Sequence, residues 1–425
     1  MSARLQSSTS EGMCHEAYHS ETAFTTMTFS SGELKVKESG VSAGYGVRVL
    51  KGGRLGFSHC QGENDLAKAL EKAGQLSRFS AKSGFCFAGK TRSGYPRPRA
   101  PDPKIDPTDY RSLREMVVDE AVEAAGRHGG MPRVVVSCEL GTVQVSNSEG
   151  FRGTYGKSGF TSFIECMDGK GYGFAFSSTN SHPGSLRDAG LKAAEMAKEM
   201  RNARKPESGE YLVVMEPIVL SSMVDLLMPS FSGDWKRRGI TKLDKAKGRR
   251  IFSEKLTLGD DGTADGTGAR PFDDEGVPSM RRTMIEKGIV KDFLYDRETA
   301  ALSGMGVEAA GACSRVSYDA VPGIGGSNTV ISPGEWKDLE DLDRFMEVHS
   351  AHGSHTANTT TGEMGLEVSV AFLVQRGKRT PVRDFMLTGN LFDMFANIEA
   401  MEKEQKVCDD LVAPRIAFRG LKVVS

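Results

Sequence analysis

MCHEAYHSE, residues 13–21, supports two readings that exclude each other, and the fold of the N-terminal third turns on which is right. His15-Glu16-Ala17-Tyr18-His19 matches the HExxH pattern of zinc peptidases. On a helix, positions i and i+4 lie on one face with roughly 5–6 Å between Cβ atoms. Two imidazoles can then grip one zinc ion while the Glu polarises its bound water. On a strand the two histidines still share a face, but a rise of roughly 3.3 Å per residue sets them about 13 Å apart and turns Glu16 to the other side. The neighbouring residues favour the strand. Ala17, His19, Glu21, Ala23, Thr25, Met27 and Phe29 share one parity in a Thr-rich stretch suited to a pleated surface. Upstream, RLQSSTSEGM supplies at most a short helix, broken by Gly12.

Working outward, Ser30-Ser31-Gly32-Glu33 reads as a turn, with Leu34 and Val36 on a second strand. Tyr45, Val47 and Val49 alternate on a third strand, before the turn Lys51-Gly52-Gly53-Arg54. From Asn64, a capping residue, Leu66, Ala67, Leu70, Ala73 and Leu76 keep helical spacing. TRSGYPRPRAPDPKIDP, residues 91–107, holds five prolines and predicts a linker. Beyond it, Thr108 and Asp109 cap a helix carrying Leu113, Met116, Val117 and Ala121. Strands follow at Val134 to Glu139, Thr142 to Ser146 and Thr161 to Ala175, then a helix from Ser185 to Ala203. From about residue 210 the chain mixes short strands such as Tyr211 to Met215, a helix near Ser221 to Leu227, and long Gly- and Asp-rich connections. The expected fold class is α+β: two small N-terminal α/β modules, residues 1–90 and 105–206, and a larger β-rich C-terminal domain, residues 210–425. SSGELKVKESG…GYGVRVLKGGRLGFS and SNSEGFRGTYG…ECMDGKGYGFAFS echo each other weakly, as a duplication or as converging meanders.

The chain has 425 residues with 55 basic against 56 acidic side chains, so no large field is available to hold a polyanion, and direct nucleic-acid binding is not expected. No apolar run is long enough to span a membrane, and MSARLQSSTSEG lacks the apolar stretch of a secretory signal; a cytoplasmic protein is expected. The seven cysteines are scattered and never spaced C-x-x-C, which reads as free thiols.

Three other stretches invite chemistry. His349, His352 and His355 lie three apart in HSAHGSHTANTTTG, but Gly353 and the polar run argue for a loop without a fixed carboxylate, and a metal site is disfavoured. GDDGTADGTGARPFDDEG, residues 259–276, does not keep the EF-hand spacing and reads as turn-forming acids. GIGGSNT, residues 323–329, lacks the GK[ST] of a phosphate loop, and no G-x-S-x-G elbow occurs.

Three longer blocks stand in order along the chain: FSSGELKVKESGVSAGYGVRVLKGGRLGFS from Phe29, ARPFDDEGVPSMRRTMIEKGIVKDFLYD at 269–296, and HTANTTTGEMGLEVSVAFLVQRGKRTPVRDFMLTGNLFDMFANIEAM at 355–401. Together they resemble the signatures of the TldD/PmbA (TldD/TldE) metalloprotease family over nearly the whole chain. The resemblance implies a heterodimer of two similar subunits acting on peptides or unfolded proteins. In the TldD kind a helix carries HExxxH, whose histidines, with a further ligand near the C-terminus, hold a metal ion, expected to be zinc. The PmbA/TldE kind lacks those ligands. Aligned through SGDWKRRG, the corresponding helix here is SSMVDLLMPSFSGDWKRRG, and the HExxxH positions fall on Val224-Asp225-Leu226-Leu227-Met228-Pro229. Neither Val224 nor Pro229 can coordinate a metal, and proline perturbs a helix. The resemblance therefore implies a PmbA/TldE-like chain with no catalytic residue and no metal of its own, paired with a TldD-like catalytic subunit. It also places HEAYH in the family's first strand, without a metal role. Arg237, Arg238, His355 and Asn358 are the candidates for a peptide groove or interface. Two alternatives stay open: a metallopeptidase in its own right, using His15 and His19 or the 349–355 histidines, and a non-enzymatic modulator of a gyrase-type system.

Overall fold

A computed structural model describes residues 13–91, 94–127, 129–337, 339 and 342–425. The reading of MSARLQSSTSEG lies outside these residues. HEAYH is strand: β1 (Met13–Ser30) runs without interruption through both histidines. It pairs antiparallel with β2 (Glu33–Lys51), which β3 (Arg54–Cys60) follows, and a helix, α1 (Leu66–Leu76), covers this end of the sheet. The β1–β2 turn has positive φ at Ser31 (48°) and Gly32 (84°), as a two-residue hairpin requires.

After the linker, α2 (Tyr110–Glu115) continues through a π-helical turn (Met116–Val122) into α3 (Glu123–Arg127). Asp109 caps it, its carboxylate accepting from the Ser112 N–H at 3.0 Å. Next come β4 (Met131–Asn147), β5 (Arg152–Asp168), β6 (Gly171–Thr179) and α4 (Arg187–Glu199). The modules expected on either side of the linker share one six-stranded sheet, ordered β3-β2-β1-β4-β5-β6, because β1 pairs with β4 from Glu16↔Asn147 to Ser30↔Arg133. Each half of that sheet has the same plan, three antiparallel strands and then a helix. Gly56 and Gly173 mark matching places in it: a Cβ on Gly56 would stand 1.9 Å from the Ala73 carbonyl oxygen of α1, and one on Gly173 2.2 Å from that of Ala193 in α4. Only glycine lets strand and helix backbones approach this closely.

Several strand boundaries differ from the sequence reading. The segments around Leu34–Val36 and Tyr45–Val49 are one 19-residue strand, and 134–139 and 142–146 are one strand as well. Their glycines serve close approach rather than turns: a Cβ on Gly44 would meet the Tyr318 ring at 2.4 Å, and one on Gly141 would meet Thr22 at 2.5 Å. Conversely, Thr161 to Ala175 is a hairpin, turning at Gly169 (φ 59°) and Lys170.

The C-terminal domain begins with β7 (Gly209–Met215), α5 (Pro217–Leu227), a 3-10 turn (Met228–Phe231) and α6 (Gly233–Arg238). Short strands follow: β8 (Leu258–Asp261), β9 (Arg281–Glu286), β10 (Ile289–Val290), then α7 (Arg297–Leu302), β11 (Cys313–Ser314), β12 (Gly323–Ile324) and β13 (Thr329–Ile331). The longer strands close the chain: β14 (Arg344–His352), β15 (Glu363–Gln375), β16 (Lys378–Val382), β17 (Phe385–Asn390), α8 (Leu391–Ala396), β18 (Ile398–Cys408) and β19 (Leu411–Val424). Apart from the β11–β12 pair, these strands form one 11-stranded sheet, against which α5 packs Val219, Leu220, Met223, Val224 and Leu227. Phe174 of β6 with Met196 and Met200 packs on Val214, Phe345, Phe372 and Ala417, so the N-terminal sheet is docked on the C-terminal one. No helix among the described residues is long and apolar enough to cross a membrane.

Candidate functional site

The strand geometry gives Glu16 a role other than the one HExxH suggests. His15 and His19 point to the α1 side, where burial lowers the pKa of both imidazoles, and the His19 ring lies 4.4 Å from that of Tyr45. Glu16 faces the C-terminal domain and is fully buried. Arg48 of β2 donates from Nε and Nη2 to its two oxygens, both at 2.9 Å, and from Nη1 to Glu275 Oε1 at 2.8 Å. Arg315 Nη2 donates to Glu16 Oε1 at 2.6 Å, and its guanidinium lies 4.7 Å over the Tyr18 ring. Glu275 Oε2 accepts from the Arg297 N–H at 2.8 Å and Asp274 Oδ2 from the Arg315 N–H at 2.7 Å. Burial opposes the Arg48 charge, but Glu16 and Glu275 outweigh it and raise its pKa. This enclosure ties HEAYH, the GYGVRV strand and the FDDEG turn together across the two halves of the molecule. Reading the FDDEG acids as turn formers missed it. The signal available was an Arg amid Val47 and Val49 on a strand whose own side chains could not pair it.

The positions aligned with HExxxH lie on α5 and just past it. Val224 is 2 % exposed and sits in the apolar core with Met223 and Leu227. Pro229 lies in the 3-10 turn, where the α-helix has already ended. Asp225 points outward near Asp409 of the β18–β19 turn, where partial desolvation of its carboxyl together with that neighbour raises its pKa. The Cys408 thiol, beside Ser221 and Asp225, is pushed up to about 11 by burial and by the nearby aspartates. Burial, Asp409 and Asp225 raise the Asp410 carboxyl to about 6. Among the described residues no group of three or more His, Cys, Asp or Glu side chains is arranged to hold a metal ion. A metal implied by the resemblance does not fit the residues at this place, where an apolar side chain and a proline stand for the two imidazoles.

The other histidines do not converge. His349 is half-buried on β14, its Nε2 3.2 Å from Glu347 Oε2, with its ring edge-on to Phe372. Burial resists ionisation of Glu347, yet His349, Arg379 and Arg415 outweigh that and hold its carboxyl at about 2. His352 is exposed near the Ser350 and Ser369 hydroxyls. His355 is exposed in a 3-10 turn (Ser354–Thr356) beside α5. Asn358 shapes the next turn, its Oδ1 accepting from the N–H groups of Thr360 and Thr361. Arg237 and Arg238 both pair with Asp234 of their own helix at 2.8 Å. The four groove candidates thus lie on two separate segments, each engaged locally.

A cleft of about 140 Å³ opens between β6, the outermost strand of its sheet, and the start of α5. Phe174 to Ser178 line it continuously, with Lys192, Glu216, His349 and Lys406 around its rim.

Comparison with known proteins agrees with this architecture. Residues 208–425 match the profile described as PmbA/TldA metallopeptidase C-terminal domain, and residues 15–77 that described as PmbA/TldA metallopeptidase domain 1. An uncharacterised protein of Methanocaldococcus jannaschii is 28 % identical over 394 residues, 90 % of each chain. The crystal structure of TldE from Thermococcus kodakarensis superposes with a TM-score of 0.87 at 21 % identity, covering 97 % of both chains. A protein of Thermotoga maritima described as a proposed modulator of a DNA gyrase has the same TM-score at 22 % identity, covering 97 % of this chain and 96 % of that one. At these identities the two structures show the fold alone.

Proposed function

The chain belongs to the PmbA/TldA metallopeptidase family, and we propose that within it this is a TldE-like, non-catalytic subunit that pairs with a TldD-like subunit. The observation that carries the reading is α5. Where the catalytic kind of subunit is expected to present two imidazoles, this chain buries Val224 in the core and ends its helix before Pro229. The reaction, attack of a metal-bound water on a peptide carbonyl, then belongs to the partner. This chain's part is to hold an extended peptide. The cleft along β6 suits that task, because an outermost strand offers unpaired backbone groups to a peptide in extended form, with side chains adding selectivity.

The test is reconstitution with a TldD-like chain carrying an intact HExxxH. Hydrolysis of an unstructured peptide is expected from the mixture, with co-elution of both chains and none from this chain alone. Equal hydrolysis by this chain alone would overturn the reading.

A further inference from the structure

We propose that the cleft along β6 is a two-ended peptide subsite, holding an extended segment with an acidic side chain toward Lys192 and His349 and a basic one toward Asp225, Asp409 and Asp410. The inference rests on the peptide-holding role proposed above and adds the chemistry of the peptide. β6 pairs with β5 along one side only, and residues 172–178 make no other backbone hydrogen bond among the described residues. A strand laid along the free side completes their ladder. At about 140 Å³ the cleft is well below the roughly 300–1,000 Å³ of small-molecule sites, so it suits the side chains of a polypeptide running past it rather than a free cofactor.

The charges around the cleft fall into two groups. One gathers near Phe174, which packs with Met196 of α4 and Phe372 of β15. His349 stands edge-on to Phe372, and Lys406 lies 3.5 Å from Glu216, whose N–H donates to the Val348 carbonyl. The carboxylates at this end are already taken: Glu216 by Lys406 and Arg415, and Glu347 by His349, Arg379 and Arg415. Lys192, on the α4 wall, is exposed and makes no ion pair among the described residues. The second group lies at Ser178, whose hydroxyl donates to Asp409 Oδ1 at 3.2 Å. Asp409 and Asp410 follow Cys408, which lines the cleft, and Asp225 of α5 stands beside that thiol. None of these three aspartates makes an ion pair among the described residues, and they are not arranged to hold a metal ion, so their charge is left for an organic cation. Phe174 and Ser178 are four residues apart, about 13 Å along a strand. A segment paired with β6 therefore meets both ends with side chains four positions apart, which point to one face.

Binding to the intact chain, without any partner, tests this. The probes are fluorescent, unstructured peptides capped at both termini, so that side chains carry the only charges. A peptide with one Glu and one Lys four positions apart, in whichever order binds better, is expected to bind about three- to tenfold tighter than its Gln/Gln counterpart, and tighter than Glu/Glu or Lys/Lys. Lys192→Glu should move the preference to Lys/Lys, and Asp225→Lys to Glu/Glu; both side chains are exposed, so neither change disturbs the core. Hydrogen exchange at residues 172–178 should slow when the Glu/Lys peptide is bound. Equal binding of the four peptides, a preference that survives both charge reversals, or exchange at β6 that ignores the peptide would overturn the subsite. Binding without charge preference sinks this inference alone, whereas no binding of any peptide removes the peptide-holding role with it. Pairing and hydrolysis with a TldD-like chain are read separately, in the reconstituted mixture.

Discussion

Replacing Glu16 by glutamine would remove the negative charge that faces two buried guanidiniums and turn an amide NH2 toward at least one of their N–H donors. Arg48 and Arg315 are each no more than 2 % exposed at the side chain, so water cannot take over. Breaking a buried pair by removing one partner typically costs about 3–5 kcal/mol. Glu16→Gln should therefore lower the midpoint of urea unfolding by an amount in that range, whereas Asp234→Asn, which releases two partly exposed arginines on α6, should cost less than about 1 kcal/mol. An equal, small effect of both would mean that the enclosure does not hold the joint. At this scale the sequence was informative about what HEAYH is not. Alternating parity excluded a shared ion for His15 and His19, but nothing local in residues 13–21 names Arg48, Arg315 or Glu275, which lie 32, 299 and 259 positions from Glu16. Long-range pairing of charges leaves no periodicity to read.

Elements were legible where hydrophobic spacing alone sets them, as in α1, α4 and α5, and misread where glycine has two meanings. Gly44 and Gly141 lie inside continuous strands where another chain segment presses on them; in sequence such a glycine looks like a break. The exposed stretch of β2 from Glu33 to Ser42 shows a further device invisible in sequence. It is an open edge, interrupted by a bulge opposite Thr28–Phe29 and bearing Lys35 and Lys37, features that discourage pairing with a stray strand. The matched glycines of the two half-sheets allow a direct test. Gly56→Ala and Gly173→Ala would each drive a Cβ into a helix carbonyl, so both should destabilise by about 1–3 kcal/mol or more, with Gly62→Ala, which meets open space, as the reference. Thermal unfolding of the three variants reads this. Two neutral substitutions at 56 and 173 would contradict the close packing of α1 and α4 on their strands.

At the scale of the whole molecule, the linker reading was right about composition and wrong about separation. Residues 94–107 form no helix or strand and turn at Pro103–Lys104, yet they join two halves of one sheet, because β1 and β4 are partners. Pairing between strands more than 100 residues apart is set by the fold as a whole, and no local pattern in the sequence announces it. The same holds for the site: α5 was recognisable as the aligned helix, but its meaning depends on the core into which Val224 is packed. The proposed role as a non-catalytic partner requires that this chain hold no metal of its own. Metal analysis of the chain purified alone, by mass spectrometry after dialysis against a weak chelator, tests it most directly. Metal well below one ion per chain is expected, unchanged in His15→Ala and His355→Ala. Tightly bound stoichiometric zinc that either substitution removes would contradict it.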